Sequence, residues 1–285
     1  MVSSSRKAGV LGSPVAHSLS PVLHNAAYQA LGLTGWTFDR IECDERALPG
    51  LVTASDPDWV GYAVTMPGKR AALAMADVVT DRAAAVGAAN TLLRLDNGWQ
   101  ADCTDVSGVV GALRIAGGYQ PKPDATGLIL GAGGTASAAL AGLAELDVLD
   151  VTIVVREPAR AAQARATAQR LGMTLDVRRW SETDIGALAA TCAVLVSTVP
   201  AEAAAPHAAE LALAPCLLDV IYHPWPTPVA DAVAARGGQL ATGLDMLLHQ
   251  SFGQVEQFTG QAAPRAAMRD ALRKSTGNTL SLPLN

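Results

Sequence analysis

The hydrophobic and polar positions of the chain follow two patterns: short continuous apolar runs, and longer stretches with an apolar residue every three or four positions. The apolar runs, closed by glycine, proline or polar residues, predict buried strands at residues 8–12, 36–41, 60–65, 90–95, 127–130, 150–156, 192–200 and 216–222. The helical period predicts helices that begin near residues 20, 70, 135, 158 and 244. Because strands and helices alternate nearly throughout, the pattern indicates an α/β fold with mainly parallel sheets.

The first helix has recognisable ends in the sequence. Ser20 is expected at its N-cap, Pro21 at its first helical position and Gly32 at its end. The apolar positions of this segment form one stripe, so Asn25 and Gln29 lie on the opposite face and are expected to contact something other than the core.

The length of the chain predicts more than one domain. A chain of 285 residues is long for one compact domain and comfortable for two. We place the boundaries near Asp105 and Gly243, where no Gly/Ser linker marks them. The expected parts are residues 1–105, residues 106–243 and a C-terminal helical segment at residues 244–285.

Charge and composition narrow the classes of partner. The formal net charge is -5 and no Lys/Arg run occurs, which argues against nucleic acid or an anionic membrane surface, although a local patch can still bind a small anion. The four cysteines, Cys43, Cys103, Cys192 and Cys216, form no C-x-x-C pair, and no His/Cys cluster has zinc spacing, so we expect reduced thiols and no metal. Residues 1–13 hold no apolar segment typical of a signal peptide, so the expected location is the cytoplasm.

A glycine-rich turn follows the strand predicted at residues 127–130. Residues 131–136 read GAGGTA, which fits G-x-G-x-x-A between a strand and a helix. Such a turn points backbone N–H groups and the positive end of a helix dipole at a pyrophosphate, and glycines let the phosphates approach. A turn required only by packing is the alternative. The candidate contacts are Gly131, Ala132, Gly133, Gly134 and Thr135.

The end of the next strand normally selects between NAD and NADP. An acidic residue there holds the ribose 2′-OH of NAD, whereas arginine accepts the 2′-phosphate of NADP. This chain has Arg156 and Arg160 with Glu157 between them. The two arginines favour NADP, provided that Glu157 is turned away or paired with Arg160. A solvated surface cluster is the purely structural interpretation.

Several polar motifs in the first and last segments lack a common structural explanation. They are GSPVAHSLSP, a strand ending in VTMPGK, the segments AANT and DCTD, and a C-terminal GLDMLLHQ. Each alone has an ordinary structural explanation, such as a helix cap, a solvated lysine or a turn. The chemically capable residues in them are Ser18, Ser20, Thr65, Lys69, Asn90, Asp105, Gly243 and Gln250.

Together with the glycine turn, these motifs resemble the shikimate dehydrogenase family. The family pattern is a serine-x-serine-proline loop, V-T-x-P-x-K, G-A-x-N-T, N-T-D-x-x-G, G-x-G-G-x-A and G-x-x-M-L-x-x-Q, and counterparts occur here in the same order from Gly12 to Gln250. The resemblance implies a substrate-binding domain at residues 1–105, a Rossmann-like NADP-binding domain at residues 106–243, and C-terminal helices that pack back on the first domain.

The resemblance also implies residue roles. Ser18 and Ser20 hold the substrate carboxylate, and Lys69 with Asp105 forms the catalytic pair. The implied binders of the ring hydroxyls and carboxylate are Thr65, Asn90, Asp105, Tyr222 and Gln250. The implied cofactor contacts are Asp81, Gly131, Ala132, Gly133, Gly134, Thr135, Val155, Arg156, Arg160, Val220 and Gly243. The implied activity is the reversible NADPH-dependent reduction of 3-dehydroshikimate to shikimate, on the route to chorismate and the aromatic amino acids.

Lys69 suits that chemistry because a positioned ammonium stabilises the charge that develops on a ketone oxygen and donates the proton. The nicotinamide supplies the hydride chemistry, so no metal is needed. The expected partner is a small-molecule substrate, with no nucleic acid and no membrane, for a chain that is a monomer or a homodimer.

Three departures from the family pattern keep alternatives open. Cys103 replaces an asparagine, Val106 replaces a glycine, and Val155 with Glu157 replaces the Asn and Thr of an N-R-T cofactor segment. Glu157 is the best argument for an NAD-dependent quinate/shikimate dehydrogenase. A non-catalytic dinucleotide-sensing module would have no reason to keep Lys69 with Asp105. A methylene-folate dehydrogenase is not supported by the serine-x-serine loop.

Overall fold

The chain forms two compact units. The computed structural model describes residues 5–285, so residues 1–4, the start of the N-terminal stretch compared above with a signal peptide, lie outside it. Unit 1 comprises the chain up to Thr104 together with residues 250–284, and unit 2 comprises residues 105–249 with the terminal Asn285. The expected boundary at Gly243 coincides with the start of a helix, whereas the division between the units falls inside that helix.

Strands and helices alternate along the described chain. The strands are β1 (Arg6–Gly12), β2 (Trp36–Glu42), β3 (Trp59–Val64), β4 (Val78–Val79), β5 (Thr91–Leu95), β6 (Gly98–Asp102), β7 (Thr126–Leu130), β8 (Asp150–Val155), β9 (Thr174–Arg179), β10 (Val194–Ser197), β11 (Cys216–Asp219) and β12 (Gln239–Thr242). The α-helices are α1 (Ser20–Ala30), α2 (Leu48–Thr53), α3 (Lys69–Met75), α4 (Asp81–Val86), α5 (Asp105–Gly111), α6 (Gly134–Glu145), α7 (Ala162–Arg170), α8 (Ile185–Thr191), α9 (Ala201–Ala204), α10 (Ala208–Leu211), α11 (Pro228–Ala235), α12 (Gly243–Thr259) and α13 (Arg265–Ser275). Pro158 opens a 3-10 turn before α7, and a π-helical turn, Ala112–Ala116, follows α5.

Unit 1 contains a mixed sheet. Within the described residues its order is β2-β1-β3-β5-β6-β4. β1 pairs in parallel with β2 and β3, whereas β5 runs antiparallel to both β3 and β6. Side chains alternate between the two faces of β1, so that Leu11 joins one apolar cluster and Val10 the other. β4 pairs in parallel with β6, so within the described residues β5 alone runs against the other strands of this sheet, and the expectation of a mainly parallel sheet holds with that one exception.

The start of α1 corrects one expectation. The N-cap is Leu19, with no side-chain hydrogen bond, and Ser20 is the first helical residue, so Ser20 is not the cap. Gly32 follows the helix with φ of 69°, as a left-handed end requires. Asn25, on the polar face, donates to and accepts from the backbone of Phe38 at 3.0 Å in both bonds, which ties α1 to β2.

Unit 2 contains a parallel sheet. Its order in the described chain is β12-β11-β10-β7-β8-β9, and each pairing is parallel. The central strand β7 is buried on both faces, with Ile129 in one apolar cluster and Leu128 and Leu130 in the other. Because both faces of this sheet are covered, a ligand can reach it only at the ends of the strands. In α/β folds the binding site lies at the carboxyl ends.

Two features are absent from the described residues. No helix there is both long and apolar enough to span a membrane. No group of three or more His, Cys, Asp and Glu side chains within the same residues is arranged to hold a metal ion.

Candidate active site

A cavity of about 830 Å³ opens at the carboxyl end of the unit 2 sheet. Gly131, Ala132 and Gly133 line it, between the end of β7 and the start of α6. Gly131 has φ of 98°, and a Cβ there would lie 2.6 Å from Thr198 Oγ1, so the position requires glycine. Gly133 is the N-cap of α6, and an added Cβ would meet nothing within 4 Å. The first turn of α6 therefore faces open space, as phosphate binding at a helix N-terminus requires.

Exposed charged residues at the end of β8 line the same cavity. They are Arg156, Glu157 and Arg160. Glu157 accepts a hydrogen bond of 3.3 Å from Arg179 Nη2, and Arg179 Nη1 donates to the carbonyl oxygen of Arg156 at 3.2 Å. The suggested pairing of Glu157 with Arg160 is therefore wrong, because the end of β9 brings Arg179 to Glu157. This side of the cavity suits a 2′-phosphate. The carboxylate of Glu157 is paired with Arg179, and the side chains of Arg156 and Arg160 line the cavity.

Trp180 lines the cavity and is absent from the residues selected in the sequence. Its indole Nε1 donates to His207 Nε2 at 3.1 Å, and His207 Nδ1 lies 2.8 Å from Glu210 Oε2. Because an indole N–H can only donate, Nε2 of His207 accepts and Nδ1 carries the proton towards Glu210. No local motif marks Trp180; only its place directly after the end of β9 relates it to the site.

Val220, Tyr222 and Gly243 lie together in unit 2. A Cβ on Gly243 would collide with the carbonyl oxygen of Val220 and lie 2.9 Å from the Tyr222 ring, so the start of α12 can approach this loop only as glycine. Burial raises the pKa of the Tyr222 hydroxyl, which keeps it protonated and able to donate a hydrogen bond at neutral pH.

In unit 1, backbone hydrogen bonds bring the polar loops to one edge of the sheet. Val64 N donates to Asn90 O at 2.7 Å, and Ala89 N donates to Lys69 O at 2.9 Å. β6 ends at the same edge, because its last residue pairs with Thr91 at the start of β5. Ser13 N, after β1, donates to Met66 O at 3.0 Å. The loop after β1, the VTMPGK segment, the AANT segment and the end of β6 therefore meet, although they are far apart in the chain.

The serine-x-serine loop is held by the side chains of Ser18 and Arg40. Ser20 N donates to Ser18 Oγ at 3.3 Å, and Arg40 donates twice to the carbonyl oxygen of Ser18, at 2.8 and 2.6 Å. Ser20 is buried and Ser18 is half-buried. Arg40, on β2, was not selected from the sequence.

Asn90 and Gln250 form a buried polar cluster with Thr104. Asn90 Nδ2 donates to Gln250 Oε1 and to Thr104 Oγ1, at 2.9 Å in both bonds. Thr104 N donates to Asn90 Oδ1 at 2.7 Å, and its hydroxyl lies 3.1 Å from Gln250 Oε1. Two candidate residues that are 160 positions apart in the chain thus contact each other directly, and a threonine of the DCTD segment bonds to both.

The other candidate residues are placed as follows. Lys69 is half-buried and is the first residue of α3, where a loop was expected, and Thr65 is half-buried just after β3. Asp105 is buried and begins both α5 and unit 2. Asp81 is exposed at the start of α4 and belongs to unit 1, whereas the other candidate cofactor residues belong to unit 2.

An ion pair at the end of β6, between the buried Asp102 and the half-buried Arg82, was also missed. Arg82 Nη2 lies 2.6 Å from Asp102 Oδ2, and the carboxylate accepts further hydrogen bonds from Thr80, Gln257 and the N–H of Cys103. Burial alone would raise the pKa of Asp102. The hydrogen bond and charge of Arg82, and the hydrogen bonds from Thr80 and the Cys103 N–H, together outweigh burial and lower this pKa. The anion therefore anchors the segment that leads into Thr104 and Asp105.

Comparison with known proteins gives this arrangement a family. The family model described as "Shikimate dehydrogenase substrate binding domain" matches residues 10–92, and "Shikimate 5'-dehydrogenase C-terminal domain" matches residues 243–273. A protein of Paracoccus denitrificans (strain Pd 1222) called shikimate dehydrogenase (NADP(+)) is 37% identical over 277 residues, covering 94% of each chain. The chain belongs to the shikimate dehydrogenase family.

Solved structures of shikimate dehydrogenases have the same fold. The crystal structure of the Mycobacterium tuberculosis shikimate dehydrogenase is 54% identical, with a TM-score of 0.89 over 94% of this chain and 99% of that one. The Thermus thermophilus shikimate 5-dehydrogenase in complex with NADP(H) and shikimate is 30% identical, with a TM-score of 0.77 over 95% of this chain and 99% of that one. The family resemblance of the motifs and the α/β fold are thereby confirmed.

Proposed function

We propose that this chain is a shikimate dehydrogenase that reversibly reduces 3-dehydroshikimate to shikimate with NADPH, in the pathway to chorismate and the aromatic amino acids. The observation that carries the proposal is the cavity at the glycine turn, which Arg156 and Arg160 also line, in a chain that matches the family over nearly its whole length. The relative from Paracoccus denitrificans is named for NADP(+), and the Thermus thermophilus structure holds NADP(H) and shikimate.

The residues of unit 2 fit NADP. The N–H groups at the start of α6 and the glycines 131, 133 and 134 receive the pyrophosphate, and Arg156 with Arg160 receives the 2′-phosphate. The pairing of Glu157 with Arg179 reduces the repulsion that an unpaired carboxylate would exert. Val155, Val220 and Gly243 complete the proposed contacts in unit 2, and Asp81 is proposed as a further one. NADPH supplies the hydride when it is bound.

The polar edge of unit 1 suits a hydroxylated carboxylic acid. The hydroxyls of Ser18 and Ser20 would donate hydrogen bonds to the substrate carboxylate. Arg40 fixes the backbone that carries them, through its two hydrogen bonds to Ser18 O. Thr65, Asn90 and Gln250 would bind the ring hydroxyls, and the protonated Tyr222 hydroxyl would donate a further hydrogen bond. Amides and hydroxyls both donate and accept, as recognition of adjacent hydroxyl groups requires.

Lys69 and Asp105 are the proposed catalytic pair. The Nζ of Lys69 would donate a proton to the carbonyl oxygen of 3-dehydroshikimate as negative charge develops there, and would accept it in the reverse direction. Asp105 would orient the ammonium group and bind a neighbouring hydroxyl. In the oxidising direction Lys69 must be neutral to accept the proton, so shikimate oxidation is expected to rise with pH.

The remaining expectations are proposals of the same kind. We propose residues 1–105 as the substrate-binding domain, residues 106–243 as the NADP-binding domain and residues 244–285 as a segment that belongs with the first. A cytoplasmic location, no nucleic-acid or membrane partner, and a monomer or homodimer complete the proposal.

The decisive experiment follows reduced nicotinamide by absorbance after shikimate is mixed with the purified chain and NADP, then with NAD, and repeats both with quinate. We expect rapid reduction of NADP when shikimate is the substrate, and little reaction with NAD or with quinate. Preference for NAD or equal use of quinate would assign the chain to the quinate/shikimate branch, with Glu157 as the reason. No reaction with any pair would overturn the proposed activity and leave a dinucleotide-binding protein.

A further inference from the structure

A second layer of buried polar residues lies behind Asn90 in unit 1. Gln254 Nε2 donates to the carbonyl oxygen of Asn90 at 3.1 Å and to Thr91 Oγ1 at 3.0 Å. Gln254 Oε1 lies 3.3 Å from His24 Nε2. His24 and Gln254 are fully buried. None of the family motifs described above assigns a role to either residue.

The carbonyl group of Asn90 and the N–H group of Thr104 determine which atom donates and which accepts in the hydrogen bonds of this layer. The carbonyl oxygen of Asn90 can only accept, so the Gln254 amide must turn its Nε2 towards it and its Oε1 towards His24. Because Oε1 can only accept, His24 must donate from Nε2 and exist as the Nε2–H tautomer. The N–H of Thr104 can only donate, so Asn90 must turn Oδ1 towards it.

The same directions continue to Gln250. Thr91 Oγ1 accepts from Gln254 and donates to Asn90 Oδ1 at 2.9 Å. With Oδ1 held by Thr91 and Thr104, Asn90 presents its amino group to Gln250 Oε1 at 2.9 Å. The amino group of Gln250, which donates to Ser251 Oγ at 3.3 Å, therefore lies on the opposite side of its amide.

The surroundings of His24 keep it neutral. Its ring stacks on Phe38 with centroids 3.9 Å apart, and the rings of Tyr28 and Phe258 also contact it. Burial lowers the pKa of His24 to about 3, and outweighs the hydrogen bond to Gln254, which acts in the opposite direction. Nδ1 has no hydrogen-bond partner among the described residues, which suits an unprotonated nitrogen better than a buried N–H.

We propose that His24 and Gln254 are positioning residues, which hold the amides of Asn90 and Gln250 in the orientations that the two backbone groups favour, so that Gln250 offers its amino group to a substrate oxygen. The inference rests on the proposed function, because it deepens the roles of Asn90 and Gln250 in substrate binding. Neither His24 nor Gln254 needs to touch the substrate. They act through hydrogen bonds with fixed donors and acceptors.

The test compares two substitutions of His24 that are similar in size. His24→Gln keeps an N–H donor for Gln254 Oε1, whereas His24→Met removes it. We expect His24→Met to raise KM for shikimate about fivefold, the change expected from loss of one neutral hydrogen bond. His24→Gln should restore most of that loss, and KM for NADP should stay within about twofold in both variants, because the effect is confined to substrate binding.

Val255→Ala is the matched control. Val255 is a fully buried neighbour of Gln254 on α12 and belongs to no hydrogen-bond network of side chains described above. Its truncation should lower the melting temperature without changing KM for shikimate. If His24→Met lowers the melting temperature but leaves KM unchanged, or if His24→Gln is as impaired as His24→Met, the positioning role is wrong.

A second measurement is independent of turnover. In the full chain labelled with ¹⁵N-histidine, the His24 ring should be protonated at Nε2 and bare at Nδ1 at neutral pH, with the signal assigned by its loss in His24→Gln. Protonation at Nδ1 would overturn the inference even if the kinetic variants are impaired. Absence of shikimate oxidation in the unmodified chain would instead overturn the proposed function, so the two failures are distinguishable.

Discussion

Lys69 illustrates how one side chain depends on backbone placed far away in the sequence. It begins α3, and its carbonyl oxygen accepts from Ala89, next to Asn90. The hydrogen bond fixes the start of the helix relative to the AANT segment. Lys69 is half-buried, whereas its neighbour Arg70, in the same helical turn, is exposed. The two adjacent cations therefore offer a direct comparison between a positioned and a solvated charge.

Lys69→Ala is expected to lower kcat for shikimate oxidation at least about 100-fold, because a positioned acid or base contributes about 100- to 10,000-fold to such rates. The dissociation constant of NADP, measured by fluorescence titration, should be unchanged. Arg70→Ala is the control and should keep nearly full activity. A Lys69→Ala variant that keeps more than about a tenth of the original kcat would show that the proton donor is another group.

At this scale the sequence was informative for some residues and silent for others. Asn90 and Gln250 lie in motifs that the resemblance selects, and both lie in one buried cluster. His24 and Gln254 could not be selected in this way, because each alone is an ordinary polar position on a helix. Their role depends on the direction of hydrogen bonds to backbone atoms, which no periodicity records. The partner of Glu157 was misjudged for a related reason, since Arg179 lies on a different strand.

Among the elements, each predicted strand corresponds to an observed one within a few residues, but β4, β6, β9 and β12 were not predicted. Without β6, the hairpin that it forms with β5 was missed. The signal was present as Asn97-Gly98, a pair typical of tight hairpin turns. β6 itself, GWQAD, has no apolar run because only alternate positions are buried along most of its length. The antiparallel pair matters for the site, since it returns the chain to the edge where Asn90 lies and delivers Thr104 there.

The end of β6 should make stability depend on pH through Asp102. Its pKa in the folded chain is lowered from the ordinary value of 3.8, so its stabilisation is present at pH above that value and is lost as pH falls through the folded-state pKa. Asp102→Asn should lower the free energy of unfolding by about 2 kcal/mol at pH 7, because it removes the charge-assisted hydrogen bonds that the buried carboxylate accepts from Arg82 and its neighbours. Urea unfolding measures the free energy of unfolding of the unmodified chain and of Asp102→Asn. The difference between these two free energies should be smaller below pH 3.8 than at pH 7.

The control is an ion pair of equal length with different burial. Arg178 Nε lies 2.6 Å from Asp176 Oδ2, as close as the Arg82–Asp102 pair, but both side chains are about half exposed. Asp176→Asn should change the free energy of unfolding by less than about 1 kcal/mol at either pH. Equal losses from the two substitutions would show that burial is not what gives Asp102 its effect.

For the whole molecule, the division into units separates most proposed cofactor contacts from most proposed substrate contacts. The glycine turn and the two arginines that follow β8 belong to unit 2, whereas Ser18, Lys69, Asn90 and Gln250 belong to unit 1. Unit 1 is assembled from both ends of the chain, so the DCTD segment and α12 carry the connections between the units. We therefore expect NADP to stabilise unit 2 most strongly and shikimate to stabilise unit 1 most strongly.

Hydrogen exchange with single ligands tests this assignment. A ligand at 100 times its dissociation constant stabilises the state that binds it by about 2.7 kcal/mol, which slows exchange through unfolding of that region up to about 100-fold. NADP alone should give its largest protection within residues 105–249, and shikimate alone within residues 5–104 and 250–284. Arg160→Glu should weaken the protection by NADP and spare that by shikimate, because it reverses a charge in only one of the two proposed sites. If NADP protects unit 1 more than unit 2, or if Arg160→Glu abolishes both effects, the two ligands do not bind where the residues of the two units predict.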